Sequence, residues 1–472
     1  MIQMNCNSKL PLYIQIYRAF KNAIVSGQLP PKSKLESIRT LSETLNVSVN
    51  TVKIAYRQLQ NEGFIESIPK SGYHVVDIQK YQVVKPDSDQ YKSNAIFKST
   101  KIEQENEDII RYDFTYHKMS MELFRVEKWR KYVNEALLCC ENEKMGRYDY
   151  GKGDVTLREE IRKYLELSRN VHCDVEQIVI CSGIQDSIER LCHILPNTTV
   201  GLECPGIPLW RTIFERHGFQ TVSLSVYPQN SYIEELYKSD AKIAITTPSH
   251  QFPTGYVLSL EERMQLLQWG ATNDAILVED DYDCEFRYAS QPLSAIQSMD
   301  SNDCVLYMGT FSKILLPGLR ISYMVLPKKL LFNYDKVYEN YPSGVPWLSQ
   351  KTLYYFMEND DFSRYIRRAR NHFKDKYHTL IHACENVFQD KIDIIGTDAG
   401  LHVLIRIPAA NSQKELIQKA LQKGVRVYSV EEDWDCNQKA PENLILLGFS
   451  YIRKKDIYDG IVLLREAWKE YL

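Results

Sequence analysis

A single lysine, Lys313, lies in the apolar stretch VLYMGTFSKILLPGLRISYMV. A lysine amine is costly to bury, so its position indicates an ordered pocket that lowers its pKa. An amine of lowered pKa can attack an aldehyde, which is how pyridoxal phosphate (PLP) is held. Thr310, Ser312 and Arg320 would supply hydroxyl groups and a guanidinium for a phosphate dianion. A buried strand followed by a solvated lysine explains this segment alone about equally well.

Acidic residues end another apolar run about thirty residues earlier, AILVEDDYDCEFRY. In doubly wound sheets, ligands bind at the carboxyl ends of the strands. A carboxylate there can keep a pyridine nitrogen protonated, and a tyrosine can hydrogen-bond the phenolic oxygen of the ring. We assign these roles to Asp280 and Tyr282. A solvated acidic turn would explain this run alone, but the two stretches in this order favour a PLP site.

Alternating helix and strand patterns from about 110 to 330 predict a mostly parallel sheet. Within this region three segments resemble the fold-type-I aminotransferase half of the MocR/GabR group of bacterial regulators. The resemblance implies an α/β PLP-dependent transferase fold with a smaller α+β carboxyl-terminal domain. The three segments are TPSHQFPTG at 247–255, VEDDYDCEF at 278–286 and MGTFSKILLPGLRISY at 308–323.

The resemblance implies a role for each residue of this site. Lys313 would form the Schiff base with PLP, Asp280 would pair with the pyridine nitrogen, and Arg320 would bind the phosphate. Tyr282 and His250 would contact the oxygen side of the ring. A lone loop histidine is otherwise most often solvated, so His250 depends on the neighbouring motif.

Two further segments are expected to reach the phosphate. QIVICSGIQDSIERLCHIL reads as strand, turn and helix, and the free amides at a helix start form an anion site. The resemblance assigns Ser182, Gly183 and Gln185 to it, although a plain turn would look similar. In aminotransferases a tyrosine of the loop GRYDYGKGD reaches the phosphate of the partner chain; Tyr148 aligns best, Tyr150 stays open, and an aromatic surface loop is the alternative.

The expected effector side departs from the family in two places. Ile207 falls where an aromatic ring commonly stacks on the cofactor. The last strand, ILLGFS, lacks the arginine that binds a carboxylate in aminotransferases. Arg426 is a substitute candidate for the carboxylate of an effector, and a strand arginine that faces solvent is the alternative.

The amino-terminal segment has the pattern of a winged helix. PLYIQIYRAFKNAIVSG predicts an amphipathic helix, and SIRTLSETLN and SVNTVKIAYRQLQNEG predict a helix-turn-helix. FIESIPKSGYHVV then gives two strands around a turn, the wing. This segment resembles the GntR-family winged helix over about 9–78. Residues 1–78 hold nine Lys and Arg against five Asp and Glu, which fits a nucleic-acid partner.

The GntR resemblance implies contacts with double-stranded operator DNA from the second helix, the start of the third helix and the wing tip. Val49 replaces a usual arginine and Glu36 lies near expected phosphates, so specificity and affinity should differ from those of relatives. A protein-binding module with these residues in solvent is the alternative. The implied contacts are Arg39, Ser48, Asn50, Thr51, Lys53, Lys70 and Gly72.

The chain of 472 residues exceeds one core, so we expect several domains. These are the winged helix at 1–78, a polar linker at 79–108 and the aminotransferase-like domain at 109–472, with a large part to about 330 and a small part from about 360. The chain has no apolar run of about 18 residues, no export signal and no CxxC pair among eleven cysteines. We therefore expect a cytoplasmic protein without membrane or metal.

Together these features predict a PLP-dependent transcriptional regulator, and the resemblance implies a head-to-tail homodimer. It would sense a small amino compound by aldimine exchange at Lys313, with little physiological turnover. An active aminotransferase with an accessory DNA-binding domain, or a PLP-sensing regulator of vitamin B6 synthesis, would use the same architecture. The effector, the operator and the sign of regulation are not encoded in these motifs.

Overall fold

The computed structural model describes residues 10–77, 110–138, 151–227, 231–288, 293–397, 399–434 and 439–472. The chain divides into two compact units, residues 1–105 and 106–472. The predicted linker, Tyr148 and Tyr150 lie outside the described residues. Within the described part, no helix is both long and apolar enough to cross a membrane.

The first unit is a winged helix, as the sequence predicts. Its helices α2 and α3 begin at serine caps: Ser37 Oγ and Ser48 Oγ each accept a hydrogen bond of 3.1 Å from the amide three residues on. Such caps satisfy amides that a helix start leaves without a partner. The elements are α1 (Leu12–Val25), α2 (Ile38–Thr44), α3 (Val49–Asn61), β1 (Ile65–Ile68) and β2 (Gly72–Val75).

The wing is the antiparallel pair β1 and β2, in which Ile65 faces Val75 and Ile68 faces Gly72. Lys70 and Gly72 take left-handed backbone angles, with φ of +65° and +102°. Glycine adopts this region without steric cost, so Gly72 permits the tight turn. Lys70 thereby lies at the exposed tip of the hairpin.

The second unit is built on a mixed seven-stranded sheet in the order β4-β10-β9-β8-β7-β5-β6. Strand β10 runs antiparallel to both neighbours, and the other six strands run in one direction. This confirms the mostly parallel sheet. The elements up to this point are β3 (Tyr112–Asp113), α4 (Val126–Leu138), α5 (Val155–Arg169), β4 (Ile178–Cys181), α6 (Ile184–Ile194), β5 (Thr199–Cys204), α7 (Pro208–Arg216), β6 (Gln220–Ser225), α8 (Tyr232–Lys238), β7 (Ile243–Thr246), α9 (Leu260–Thr272), β8 (Ile276–Asp280), β9 (Val305–Thr310), β10 (Ser322–Val325) and α10 (Lys328–Tyr338).

Helices cover both faces of this sheet. Successive residues of a strand point to opposite faces, so one strand contributes to the core on each side. In β8, Ile276 and Val278 pack in one apolar cluster with α6, α7 and α10. Leu277 between them packs in another cluster with α8 and α9. The sheet is therefore buried on both faces, as the continuous apolar strands predict.

The carboxyl-terminal lobe is a smaller α+β arrangement, also as predicted. Strands β11, β12 and β14 form an antiparallel sheet. Strand β13 pairs in parallel with β3, which lies more than three hundred residues earlier in the chain. The elements are α11 (Trp347–Glu358), α12 (Asp361–Phe388), β11 (Asp393–Ile395), β12 (His402–Arg406), α13 (Gln413–Gln422), β13 (Val425–Arg426), β14 (Leu444–Gly448) and α14 (Lys454–Ala467).

Candidate cofactor site and DNA-binding surface

A cavity of about 690 Å³ lies where the carboxyl ends of β8 and β9 meet the start of α6 and the carboxyl-terminal lobe. Its size falls in the range typical of small-molecule sites. Seven residues that the sequence assigns to PLP line it: Gln185, Asp280, Tyr282, Thr310, Ser312, Lys313 and Arg320.

Three consecutive acids lie at the carboxyl end of β8, with Asp281 directly after the strand, and each has a different environment. Glu279 accepts hydrogen bonds of 2.8 and 3.0 Å from the amides of residues 296–297. Asp281 forms a buried ion pair with Arg169 at 2.7 Å. Asp280 is the one of the three that lines the cavity. Two of the acids are therefore bonded within the protein, and the third faces the candidate site.

Asp280 has the properties of a carboxyl group built for a cationic ligand. Its side chain is 2% exposed, and its Oδ1 accepts no hydrogen bond from the described residues. Burial, with the charges of Asp281, Glu203 and Asp283, raises its pKa well above the usual value. A protonated pyridine nitrogen would supply the missing donor, so this position fits PLP.

Lys313 lies beside Tyr116, with its Nζ 3.4 Å from the ring centroid. The same amine donates a hydrogen bond of 3.2 Å to the backbone oxygen of Tyr116. Burial lowers the pKa of Lys313 to about 8, against a smaller opposite effect of Asp283. A larger fraction of this amine is therefore unprotonated near neutral pH than in an exposed lysine, as a nucleophilic lysine requires.

The phosphate end of the cavity combines a guanidinium, a hydroxyl and a close backbone approach. Ser312 donates its amide to Thr310 Oγ1 at 3.1 Å, while its own buried Oγ has no hydrogen-bond partner among the described residues. Gly183 has a φ of +92°, and a Cβ there would collide with the guanidinium of Arg320. These groups fit a phosphate at the start of α6.

Ser182 and His250 do not line the cavity. The amide of Ser182 already donates to Asp186 Oδ2 at 2.8 Å. His250 is 2% exposed and lies behind Tyr282, which donates to its backbone oxygen at 2.8 Å. Its Nδ1 is 2.9 Å from Asp283 Oδ2. This placement suits His250 to holding Tyr282 and Asp283 in position, whereas a direct ring contact stays a prediction.

Arg426 lies outside the cavity as well. It lines a separate cleft of the carboxyl-terminal lobe together with Arg111 and Lys118. This location does not support the prediction that Arg426 binds the carboxylate of an effector near Lys313. The reason is the strand register: β13 pairs with β3, which directs the residue to the other cleft.

Tyr116 and the acidic turn at 431–433 line the cavity, and sequence reasoning missed them. Tyr116 follows the two-residue strand β3, and it belongs to no motif. The acidic turn did leave a signal in the sequence, a run of three acids directly after an apolar strand pattern. Such a run is more often solvated, so only the fold reveals its position.

The predicted DNA-contacting residues lie on the first unit. Arg39, Asn50, Lys53 and Lys70 are exposed. Ser48 and Thr51 bond each other through their hydroxyl groups at 2.8 Å, so they also fix the start of α3. An exposed helix start with lysine and asparagine is suited to phosphate contact and base reading.

The sheet, the lysine after β9 and the carboxyl group at the end of β8 define the second unit as a PLP-type transferase domain. The first unit is a winged helix-turn-helix. Residues 115–433 match the family "Aminotransferase class I and II", and residues 12–75 match "Bacterial regulatory proteins, gntR family".

Whole-length relatives share both parts. The chain is 36% identical to the uncharacterized HTH-type transcriptional regulator YdeL of Bacillus subtilis, over 99% of this chain and 98% of YdeL. It is 28% identical to the probable rhizopine catabolism regulatory protein MocR of Rhizobium meliloti, over 99% and 96%. The chain belongs to the MocR-type GntR family of transcriptional regulators, which carry an aminotransferase class I/II domain.

A solved structure confirms the fold of the second unit. The kynurenine aminotransferase of Pyrococcus horikoshii, determined with PMP, superposes with a TM-score of 0.68. The alignment covers 76% of this chain and 91% of that one at 24% identity. The predicted family, fold and PLP-type domain are thus confirmed by comparison.

Proposed function

We propose that this regulator binds operator DNA through its first unit and senses an amino compound through PLP held at Lys313. The observation that carries the proposal is one cavity that contains both an amine with a pKa lowered to about 8 and Asp280, whose buried Oδ1 has no hydrogen-bond partner among the described residues. When bound, PLP supplies an aldehyde carbon that amines can attack and a ring that withdraws electrons.

Residues of this chain would hold the cofactor at three points. Arg320 and Ser312 would bind its phosphate, with Gly183 leaving room for the guanidinium. Asp280 would accept a hydrogen bond from the ring nitrogen, and its burial strengthens that bond. Tyr282 would donate to the ring oxygen by turning its hydroxyl proton away from the backbone oxygen of His250, to which it donates in the structure.

An incoming amine would compete with Lys313 for the aldehyde carbon of the cofactor. The lowered pKa of Lys313 favours both attack on an aldehyde and release as a neutral amine. An effector that binds one conformation of the protein better than another would shift the population between DNA-binding states. The matching relatives are regulators by name, which supports sensing as the purpose of this site.

The test is Lys313→Ala, with the exposed helix lysine change Lys414→Ala as control. The first variant should lose the visible absorbance of the bound cofactor and the effect of amines on DNA binding, while it keeps basal DNA binding. Lys414→Ala should behave as wild type, because Lys414 lies on the surface of α13. An unchanged amine response in Lys313→Ala would contradict the proposal.

Two outcomes point to other functions of the same site. Sustained keto-acid production at about 1 s⁻¹ or faster would make the chain an aminotransferase, because such rates are typical of enzymes. A change in DNA binding on addition of PLP without any amine would instead make PLP itself the signal. Light scattering of the full chain tests whether the protein is a dimer, which is the first requirement of the proposed head-to-tail arrangement.

A further inference from the structure

An acidic turn, Glu431–Asp433, forms part of the wall of the cavity that contains Lys313. The backbone oxygen of Asp433 accepts a hydrogen bond of 2.9 Å from the amide of Gly206, in the loop after β5. On the other side, the amide of Val430 donates to Gln413 Oε1 at 3.2 Å. The turn is therefore held between the loop after β5 and helix α13, so it is an ordered part of the cavity wall.

Asp433 lines the same cavity as Lys313, and its charge acts on Tyr116, the residue that contacts the reacting amine. Burial, and to a smaller degree Glu432, raises the pKa of Asp433 to about 7. Burial, and less strongly the charges of Asp283, Asp280 and Asp433, raises the pKa of Tyr116, the residue that contacts Lys313. A cation next to Asp433 would relieve its unfavourable desolvation.

Aromatic rings line the same cavity. Tyr116, Trp210, Phe252 and Tyr428 are among its walls. The faces of such rings attract ammonium groups. Tyr116 already presents its face to the amine of Lys313. Rings and carboxylates together are the combination that recognises organic cations.

The cavity offers no comparable partner for a distal carboxylate. Among its described lining residues, the basic side chains are Lys313, Arg320 and His117. The proposed function assigns the first two to the cofactor. Burial, and secondarily the charge of Lys313, lowers the pKa of His117, so this imidazole is neutral near pH 7. Asp280 Oδ1, buried in the same cavity without a hydrogen-bond partner among the described residues, marks the cavity as a built ligand site, and the proposed function assigns that carboxyl group to the cofactor.

We infer that the effector is an amine with a second, distal cation, such as a diamine, which places its distal ammonium against Asp433 and Glu432. This inference rests on the proposed function and specifies the chemical class of the ligand. A simple amino acid would instead bring a carboxylate against the acidic turn, where like charges repel.

The experiment titrates the PLP-loaded full chain with three amines that share a four-carbon chain: 1,4-diaminobutane, 4-aminobutyrate and butylamine. The readout is the absorbance change of the cofactor. We expect 1,4-diaminobutane to act at concentrations about tenfold or more below those of the other two, because only it carries a distal cation. Equal or tighter binding of 4-aminobutyrate would overturn the inference.

Asp433→Asn tests the assigned partner, with the exposed Glu339→Gln as a control that removes one charge away from the cavity. In Asp433→Asn the preference for 1,4-diaminobutane over butylamine should fall about fivefold to tenfold, while the response to butylamine persists. Glu339→Gln should keep the preference. An unchanged preference in Asp433→Asn would overturn the assignment.

The failure of this inference can be told apart from failure of the proposed function. If butylamine or 4-aminobutyrate changes the spectrum and 1,4-diaminobutane is not preferred, amine sensing stands and the cationic class is wrong. If none of the three amines changes the spectrum of the loaded chain, the proposed function fails, and the inference that rests on it fails as well.

Discussion

At the scale of single residues, Asp280 differs from Glu279 and Asp281 in its hydrogen-bond partners and in lining the cavity. Glu279 is bonded to backbone amides and Asp281 to a buried arginine, whereas Asp280 Oδ1 has no partner among the described residues. Its folded-state pKa is raised, so an apoprotein gains stability from this group only at low pH. That contribution is lost as the pH rises above the unfolded value near 3.8.

Asp280→Asn should therefore have opposite effects on two states. Near pH 7 the apoprotein should become more stable, because a buried carboxyl that resists ionisation is removed. The affinity for PLP should fall about tenfold or more, because a charge-assisted hydrogen bond is lost. Thermal melting with and without PLP measures both effects. Equal stabilisation of wild type and variant by PLP would contradict the assignment.

The sequence could predict that acids at this strand end face a ligand. Which of them lines the cavity and which are bonded to the protein depends on distant residues. The partner of Asp281 is Arg169, at the end of α5, and the partners of Glu279 are amides after an intervening segment. Arg426 illustrates the same limit, because the register of β13 against β3 decides which cleft it faces. Tyr116 belongs to no pattern that sequence reading uses.

At the scale of elements, the start of α3 combines a structural role with a predicted functional one. Ser48 Oγ accepts from the amide of Thr51 at 3.1 Å, and Val49 beside it is 50% exposed. The sequence predicts this cap and the helix pattern well, since both are local. The same hydroxyl is one of the implied DNA contacts.

Ser48→Ala should lower the free energy of unfolding of the first unit by about 1 kcal/mol, the usual cost of a lost cap. Ser67→Ala, on an exposed wing strand, should change it by less than about 0.5 kcal/mol. Urea unfolding followed by circular dichroism measures the difference. Equal midpoints for the two variants would show that the cap does not stabilise α3.

At the scale of the whole molecule, the first unit contains a core of its own. Ile16, Phe20, Val52, Tyr56 and Leu59 are buried together, and the wing closes over them through Ile65 and Val75. Domains of about 60 residues with such a core often fold alone. Charge and helix periodicity predict this unit from the sequence. The position of its boundary with the second unit is harder to predict from local patterns.

A fragment of residues 10–77 should therefore show helical circular dichroism and a cooperative thermal transition. It should also bind DNA with an affinity that falls steeply with salt, because lysine and arginine contacts release counterions. Melting curves and salt titrations measure these properties. A fragment that melts without cooperativity would show that this core depends on the rest of the chain.

The pairing of β3 with β13 has a mechanical consequence. Just before β3, the amide of Arg111 donates to the backbone oxygen of Gly424, just before β13, at 2.8 Å. Three residues past β3 comes Tyr116, against the reactive lysine, and a few residues past β13 comes the acidic turn. Tyr116 and the acidic turn thus both follow the carboxyl end of this pair of parallel strands, so a change in the pairing of β3 with β13 would reach both walls of the pocket.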